Sequence, residues 1–221
     1  MGYEERPPPP HLRSLVACFW SIGGPAEEHR VLPDGAADVV VVDGVARLVG
    51  TMTRAVIVPP SRERVHGVRF LPGEAARVFA EIAELTDEER ILGEAGADLE
   101  TMIVERLVSR DAADLRVRAA AQVLRLGGSV AAAARRACLS ERQLSRRFRS
   151  RVGVGPKTFA RIMRLQRAAG ALASGASPLA AAAHAGYADQ AHFTREASDL
   201  AGVTPRVLAS EMFKTPVAFA R

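Results

Sequence analysis

The sequence predicts an α+β protein: a small β-rich N-terminal domain with trailing helices, then an all-α domain of two helix-turn-helix units joined by a long helix. Three observations predict it. Short β-branched runs separated by turn signals occupy the first 71 residues. Helical text follows, and the charge changes sign near residue 110. The last hundred or so residues contain an internal repeat.

Taken in order, the apolar runs Leu15–Trp20, Ala37–Val42, Val45–Val49, Ala55–Val58 and Val65–Leu71 read as strands. Asp43-Gly44 between two of them is a two-residue hairpin signal, because Gly accepts the positive φ of a type I′ turn. Leu32-Pro33-Asp34-Gly35 reads as a turn whose Asp bonds its own backbone. From Pro72-Gly73-Glu74 an amphipathic helix is expected to about Glu84, and Thr86–Glu89 looks like the capped start of another. Helical patterning then runs through Asp98–Arg110 and Asp111–Leu126, closed by Gly127-Gly128. The domain boundary is placed between residues 110 and 111, giving domains 1–110 and 111–221.

Segment 129–156 is repeated as 177–205, at an offset of 48 residues over the first helix and 49 after the turn. Each copy has a small-residue helix, a tight turn, then a capped helix with a Leu/Phe-x-Arg core, Leu144-x-Arg146 and Phe193-x-Arg195. Both end in Gly-Val-x-Pro, which places Pro at the first position of the next helix, where its missing N–H costs nothing. This is the text of helix-turn-helix units. The intervening helix, Pro156 to about Ser174, would be about 28 Å long. In the first unit Ser140 and Gln143 form a capping box, and Leu144 and Phe148 share the core face. The opposite face carries Arg142, Ser145, Arg146 and Arg149. In the second unit a helix starts at Asp189 with Phe193 inward and Gln190, His192 and Arg195 outward.

LSERQLSRRFRSRVGVGP followed by GYADQAHFTRE and GVTP resembles the DNA-binding domain of the AraC/XylS family, over residues 115–213. The resemblance implies a bacterial transcription regulator that reads two adjacent major grooves with recognition helices at about 141–151 and 189–199. It implies base contacts from Arg142, Ser145 and Arg146, and from Gln190, His192 and Arg195. Arg147, Arg149 and Arg151 are assigned to phosphates. Trp20, Leu32-Pro33-Asp34-Gly35, Asp38 and Gly67-Val68-Arg69-Phe70-x-Pro72-Gly73 resemble a short N-terminal domain attached to some such regulators. These proteins commonly join a ligand-binding or dimerising domain to the reader. One expectation is therefore an effector pocket lined by Trp20, His66 and Arg69; an N-domain used only for dimerisation or protein contact stands beside it. The resemblance also makes RNA polymerase a partner to consider. Cys138 stands where the family often has Gly, as Gly186 does in the second copy, and is expected to be a small buried turn residue. A redox-sensitive thiol is the rival reading.

Charge supports a polyanion partner. Residues 1–110 carry 12 Arg against 18 Asp and Glu, a net of −6, whereas residues 111–221 carry 18 Lys and Arg against 7 acids, a net of +11. Within the basic half, residues 111–170 carry 14 cations against 3 acids, and residues 171–221 carry 4 of each. The first unit is thus expected to supply most of the affinity for phosphates, and the second to add specificity. An Arg-rich helix taken alone is often a solvated face; here the cluster recurs with a repeat and two caps. The runs Ala131–Ala134 and Ala180–Ala183 read as close-packed helix faces.

No run reaches the roughly 18 apolar residues of a membrane span, and MGYEERPPPP lacks the apolar core of a secretion signal. With two cysteines, Cys18 and Cys138, at no metal-type spacing, a cytoplasmic protein without cofactor or metal is expected. Two alternatives remain. A sequence-blind nucleoid protein fits the charge but not the paired recognition helices. A metal-dependent enzymatic N-domain using His29, Asp34, Asp38 and His66 matches no ligand or nucleophile motif.

Overall fold

The computed structural model describes residues 2–24, 27–60, 64–95, 98–107 and 112–212. The N-terminal part contains strands β1 (Tyr3–Arg6), β2 (Val16–Ile22), β3 (His29–Val31), β4 (Asp38–Val42), β5 (Val45–Val49), β6 (Val56–Val58), β7 (Val65–Phe70) and β8 (Glu89–Glu94). Six form an antiparallel sheet in the order β1-β2-β7-β4-β5-β8, and β3 pairs with β6 separately. The β4–β5 hairpin turns on Asp43 and Gly44, at φ 52° and 74°, as the dipeptide predicts. Its register pairs Val39 with Leu48 and Val41 with Ala46. These four side chains therefore share one face, where they are buried with Phe19, Val68 and Phe70.

Two expectations for residues 74–94 are corrected. In place of one helix there are two short 3-10 turns, Ala75–Arg77 and Ala80–Glu84. Phe79 breaks them with extended backbone (φ −129°, ψ 99°) and packs edge-on against Phe70. Thr86–Glu89 does not start a helix. Asp87 adopts φ 59°, and its carboxylate accepts hydrogen bonds from the Thr53 amide and hydroxyl, so it cannot cap. Glu89–Glu94 instead extends the sheet beside β5, with Arg47 and Glu89 paired across the strands at 2.6 Å. Strands β1, β3 and β8 escaped the pattern because each lies at an edge and has no fully buried residue, so no buried face imposes alternation.

Helix α1 (Leu99–Leu107) closes the β-rich core with Leu99 and Ile103. The expected boundary at 110/111 lies outside the described residues. Seven helices follow: α2 (Leu115–Arg125), α3 (Val130–Arg136), α4 (Glu141–Val152), α5 (Pro156–Ala173), α6 (Pro178–Ala185), α7 (Gln190–Ala201) and α8 (Pro205–Met212). Helices α2–α4 enclose one core and α6–α8 another, and α5 serves both. Phe159, Ile162 and Met163 belong to the first core, and Leu165, Ala168, Ala169 and Leu172 to the second. Among the described residues no helix is long and apolar enough to cross a membrane.

The N-terminal part packs directly on the helical part. Leu32, 3% exposed, enters the core of the second unit, and burial of such a side chain contributes roughly 1.5–3 kcal/mol. The Pro33 carbonyl accepts from Gln166 at 2.7 Å, and the Asp34 side chain bonds the Ala36 amide as expected. Gly35 lies so close to α5 that a Cβ would come 2.5 Å from the Phe159 ring. Buried Glu74 accepts from Arg118 of α2 at 2.8 Å and from Arg77 at 3.2 Å.

Candidate nucleic-acid interface

Ser140 caps α4, accepting from the Gln143 amide at 3.2 Å, while the Gln143 side chain accepts from the Ser140 amide at 2.9 Å. Leu144, Phe148 and Val152 are buried at successive turns, with Phe148 edge-on to Phe159 of α5 at 5.2 Å. This fixes the roll of the helix. Arg142, Arg146 and Arg149 are left exposed on the far side with half-buried Ser145. Together with Ser150, Gly153 and Ala83 they line an open groove of about 620 Å³. A second concavity of about 340 Å³ lies between Ser140, Arg142, Gln143 and Arg146. Among the described residues no ion pair engages Arg142, Arg146 or Arg149, so their guanidinium groups are available to an anionic partner.

Not every predicted phosphate ligand points the same way. Arg147 donates to Asp114 at 3.0 Å, and Asp114 is the N-cap of α2. Arg151 is half-buried, with its Cβ 3.6 Å from where a Cβ on Gly73 would stand. Residues 147 and 151 are one turn apart and occupy the flank of α4 turned toward α2 and the N-terminal part. Of the three, Arg149 lines the groove.

Asp189 caps α7 through the His192 amide at 2.6 Å, and Phe193 and Ala197 are buried. Gln190 and Arg195 are exposed as expected. His192 is half-buried. Its ring stands edge-on to Tyr187 at 5.1 Å, and its Nε2 lies 3.5 Å from Arg164 and 3.9 Å from Glu196. The repeat shows why. An offset of 49 residues maps Arg142, Ser145, Arg146 and Arg149 onto Ala191, Thr194, Arg195 and Ser198, whereas His192 corresponds to the capping residue Gln143. That offset aligns Thr194, not His192, with Ser145 of the first unit.

The second unit is also neutralised internally. Glu196, only 7% exposed, accepts from Arg161 at 2.7 Å and faces Arg164 at 3.7 Å, while Arg161 also reaches Asp199 at 3.2 Å. The bond from Glu196 raises the Arg161 pKa above its ordinary value. Arg167 ties the two units together, donating to the Arg125 carbonyl at the end of α2 and the Ala185 carbonyl at the end of α6. Burial, with the neighbouring Arg164 charge, lowers its pKa below the ordinary arginine value.

Cys138 and Gly186 occupy equivalent turns with φ of 52° and 81°. The Cys138 side chain is exposed, not buried, because the left-handed turn directs its Cβ outward.

The expected effector pocket is not assembled. Register pairs Arg69 with Asp38 and Cys18, and Trp20 with Gly67, so Trp20 and Arg69 share one face of the sheet; His66 belongs to the opposite face with Val68 and Phe70. On the first face Trp20 covers Gly67, where a Cβ would meet its ring at 2.7 Å, and stacks on Tyr3. Arg69 is held by Asp34 at 3.0 Å and Asp38 at 3.2 Å. Burial, with the neighbouring Asp34 charge, pushes Asp38 up to about 6 against the pull of Arg69. Burial lowers the pKa of His66.

Residues 133–211 match the model of a helix-turn-helix domain, and residues 4–90 match a domain of unknown function (DUF6597). Residues 133–211 thus form a helix-turn-helix domain of the AraC type. A domain of this kind supports a DNA-binding transcription regulator and implies double-stranded DNA as the partner. The structure of ToxT from Vibrio cholerae is similar over 96% of this chain and 100% of that one, with 9% identity and a TM-score of 0.46, a likeness too loose to bear on function. None of the curated proteins matches the chain.

Proposed function

We infer that the regulator reads promoter DNA with α4 and α7 placed in successive major grooves, through a reader domain spanning 111–221 that is borne by an N-domain of 1–110. The observation that carries this reading is the row Arg142, Ser145, Arg146, Arg149. Its three arginines are exposed on a capped helix whose opposite face is locked in a core, and an offset of 49 places Thr194 and Arg195 of α7 at the positions of Ser145 and Arg146. A guanidinium at such a position can bond bidentately to guanine, worth about 1–3 kcal/mol of discrimination. Base reading is assigned to Arg142, Ser145 and Arg146 in the first unit. In the second it is assigned to Gln190, Thr194 and Arg195, with half-buried His192 supporting the helix instead. Arg149 is assigned to a phosphate. Helix α5, 18 residues and about 27 Å long, carries the two units along one face of the duplex.

Selection of bound sequences from random duplex DNA at about 150 mM salt tests this reading. Two short blocks about one helical turn apart, near 34 Å, are expected. Recovery of a single block would make the second unit a support, a reading favoured by the internal pairing of Arg161 and Arg164 with Glu196. Recovery of no motif would return the protein to sequence-blind binding, since specific readers prefer their sites by about 10³ or more.

A further inference from the structure

We propose that the N-terminal domain is a brace for the DNA reader. The brace is the five-residue segment Thr51–Ala55, which bridges the C-terminal ends of the two recognition helices and sets the block spacing the protein accepts. This inference rests on the two-helix reading above and adds a spacing determinant that lies outside the helix-turn-helix domain.

The last carbonyls of a helix lack intrahelical donors and form its negative pole. In both recognition helices the N-terminal domain supplies donors at equivalent places. The buried Thr51 hydroxyl donates to the Val152 carbonyl at the end of α4. Forty-nine residues on, the Arg30 guanidinium donates to the Ala201 carbonyl at the end of α7, at 2.9 Å. The next residue in each copy is the terminal glycine. The Gly153 carbonyl accepts from the Thr86 hydroxyl at 2.8 Å, and a Cβ on Gly202 would meet the Arg30 guanidinium at 3.5 Å. The amide of Ala55 completes the set, donating to the Leu200 carbonyl at 2.7 Å. One segment of five residues thus holds α4 by its first residue and α7 by its last.

The segment is itself anchored. Gly50 precedes it with the Leu85 carbonyl so close that a Cβ would stand 1.7 Å away, which fixes where the strap begins. Asp87 grips its middle through the Thr53 amide and hydroxyl. Four Cα steps span at most about 14 Å. The flanking bonds and side chain add less than about 10 Å. The strap therefore keeps the Val152 and Leu200 carbonyls within about 24 Å of each other. Lengthening the strap releases that restraint toward wider spacing.

The test measures full-length protein on a set of duplexes carrying the two selected blocks at increasing separation, with a one-block duplex as control. Wild-type protein is expected to lose more than about tenfold in affinity when two base pairs are added between the blocks. A Gly-Ser insertion between Arg54 and Ala55 lengthens the strap by up to ~7 Å, about two base pairs of rise. It should reduce that loss to less than about threefold while leaving one-block affinity unchanged. Thr51→Val and Arg30→Gln, which each remove one side-chain donor from a helix end without changing chain length, should broaden the spacing profile in the same direction. They keep the question decidable if the insertion unfolds the chain. Spacing profiles identical to wild type, in variants that still melt cooperatively, overturn the brace and leave the two-helix reading intact. Equal binding of one-block and two-block duplexes by wild-type protein overturns the two-helix reading, and the brace with it.

Discussion

Replacing Arg149 with Gln removes one guanidinium from the row of three that the fold leaves exposed on α4, without touching Leu144, Phe148 or Val152 behind it. Each phosphate neutralised on duplex DNA contributes about 0.9 to the slope of log affinity against log salt. The variant should therefore bind about fivefold more weakly at about 150 mM salt and about fifteenfold more weakly at about 50 mM, converging on wild type near 1 M. Arg195→Gln acts in a unit whose neighbouring cations, Arg161 and Arg164, already face Glu196 and Asp199. Its loss should come chiefly from a base contact, roughly 1–3 kcal/mol with little dependence on salt. Fluorescence anisotropy on the selected site, titrated at five or six salt concentrations, separates the two behaviours. A steeper change of slope for Arg195→Gln than for Arg149→Gln would refute the assignment of phosphate affinity to the first unit.

Three further outcomes follow from particular residues. Cys138 holds a left-handed φ of 52° at the position Gly186 occupies in the second copy. Relief of that strain, about 1 kcal/mol, should let Cys138→Gly raise Tm by about 2–4 °C in calorimetry; a lower Tm would show that the thiol makes a contact the turn needs. Native protein treated with a chromogenic thiol reagent at pH 8 should react at one cysteine, exposed Cys138, until denaturant is added. The thiol of Cys18 is buried and pushed up to about 12, chiefly by that burial, and two fast thiols would contradict this. Asp38 sits at about 6 when folded, above the ~3.9 of an unfolded aspartate, so the folded chain takes up this proton first. Its contribution to stability is fully present below about pH 4 and is lost as pH rises through about 6. The stability difference between wild type and Asp38→Asn in urea melts should therefore change over that interval, and a pH-independent difference would refute it.

The sheet and the reader were legible to different degrees. Strands β2, β4, β5 and β7 are central, and their alternation was readable because one face of each is buried. The 3-10 turns at 75–84 were not, because Phe79 answers to Phe70 across the core, a contact 9 residues apart in the chain that no local pattern announces. The roll of α4 was readable from Leu144 and Phe148. In α7, His192 is half-buried, and its orientation depends on Tyr187, Arg164 and Glu196, which chain order does not reveal. The pocket of Trp20, His66 and Arg69 failed on strand parity, which places residue 66 and residue 69 on opposite faces.

By itself the sequence determined two capped recognition helices, the repeat that relates them, and the concentration of cationic charge in the first. Periodicity, capping and turn chemistry act within a few residues, and so they are written locally. Only the tertiary structure decided which arginines stay unpaired, and that Arg147, Arg161 and Arg164 are engaged by acids of other elements. It also decided that segment 51–55 reaches the ends of both recognition helices. Those contacts join residues separated by 32 to 145 positions, and hydrogen bonds and ion pairs at such separations exist only once the cores have brought distant elements together.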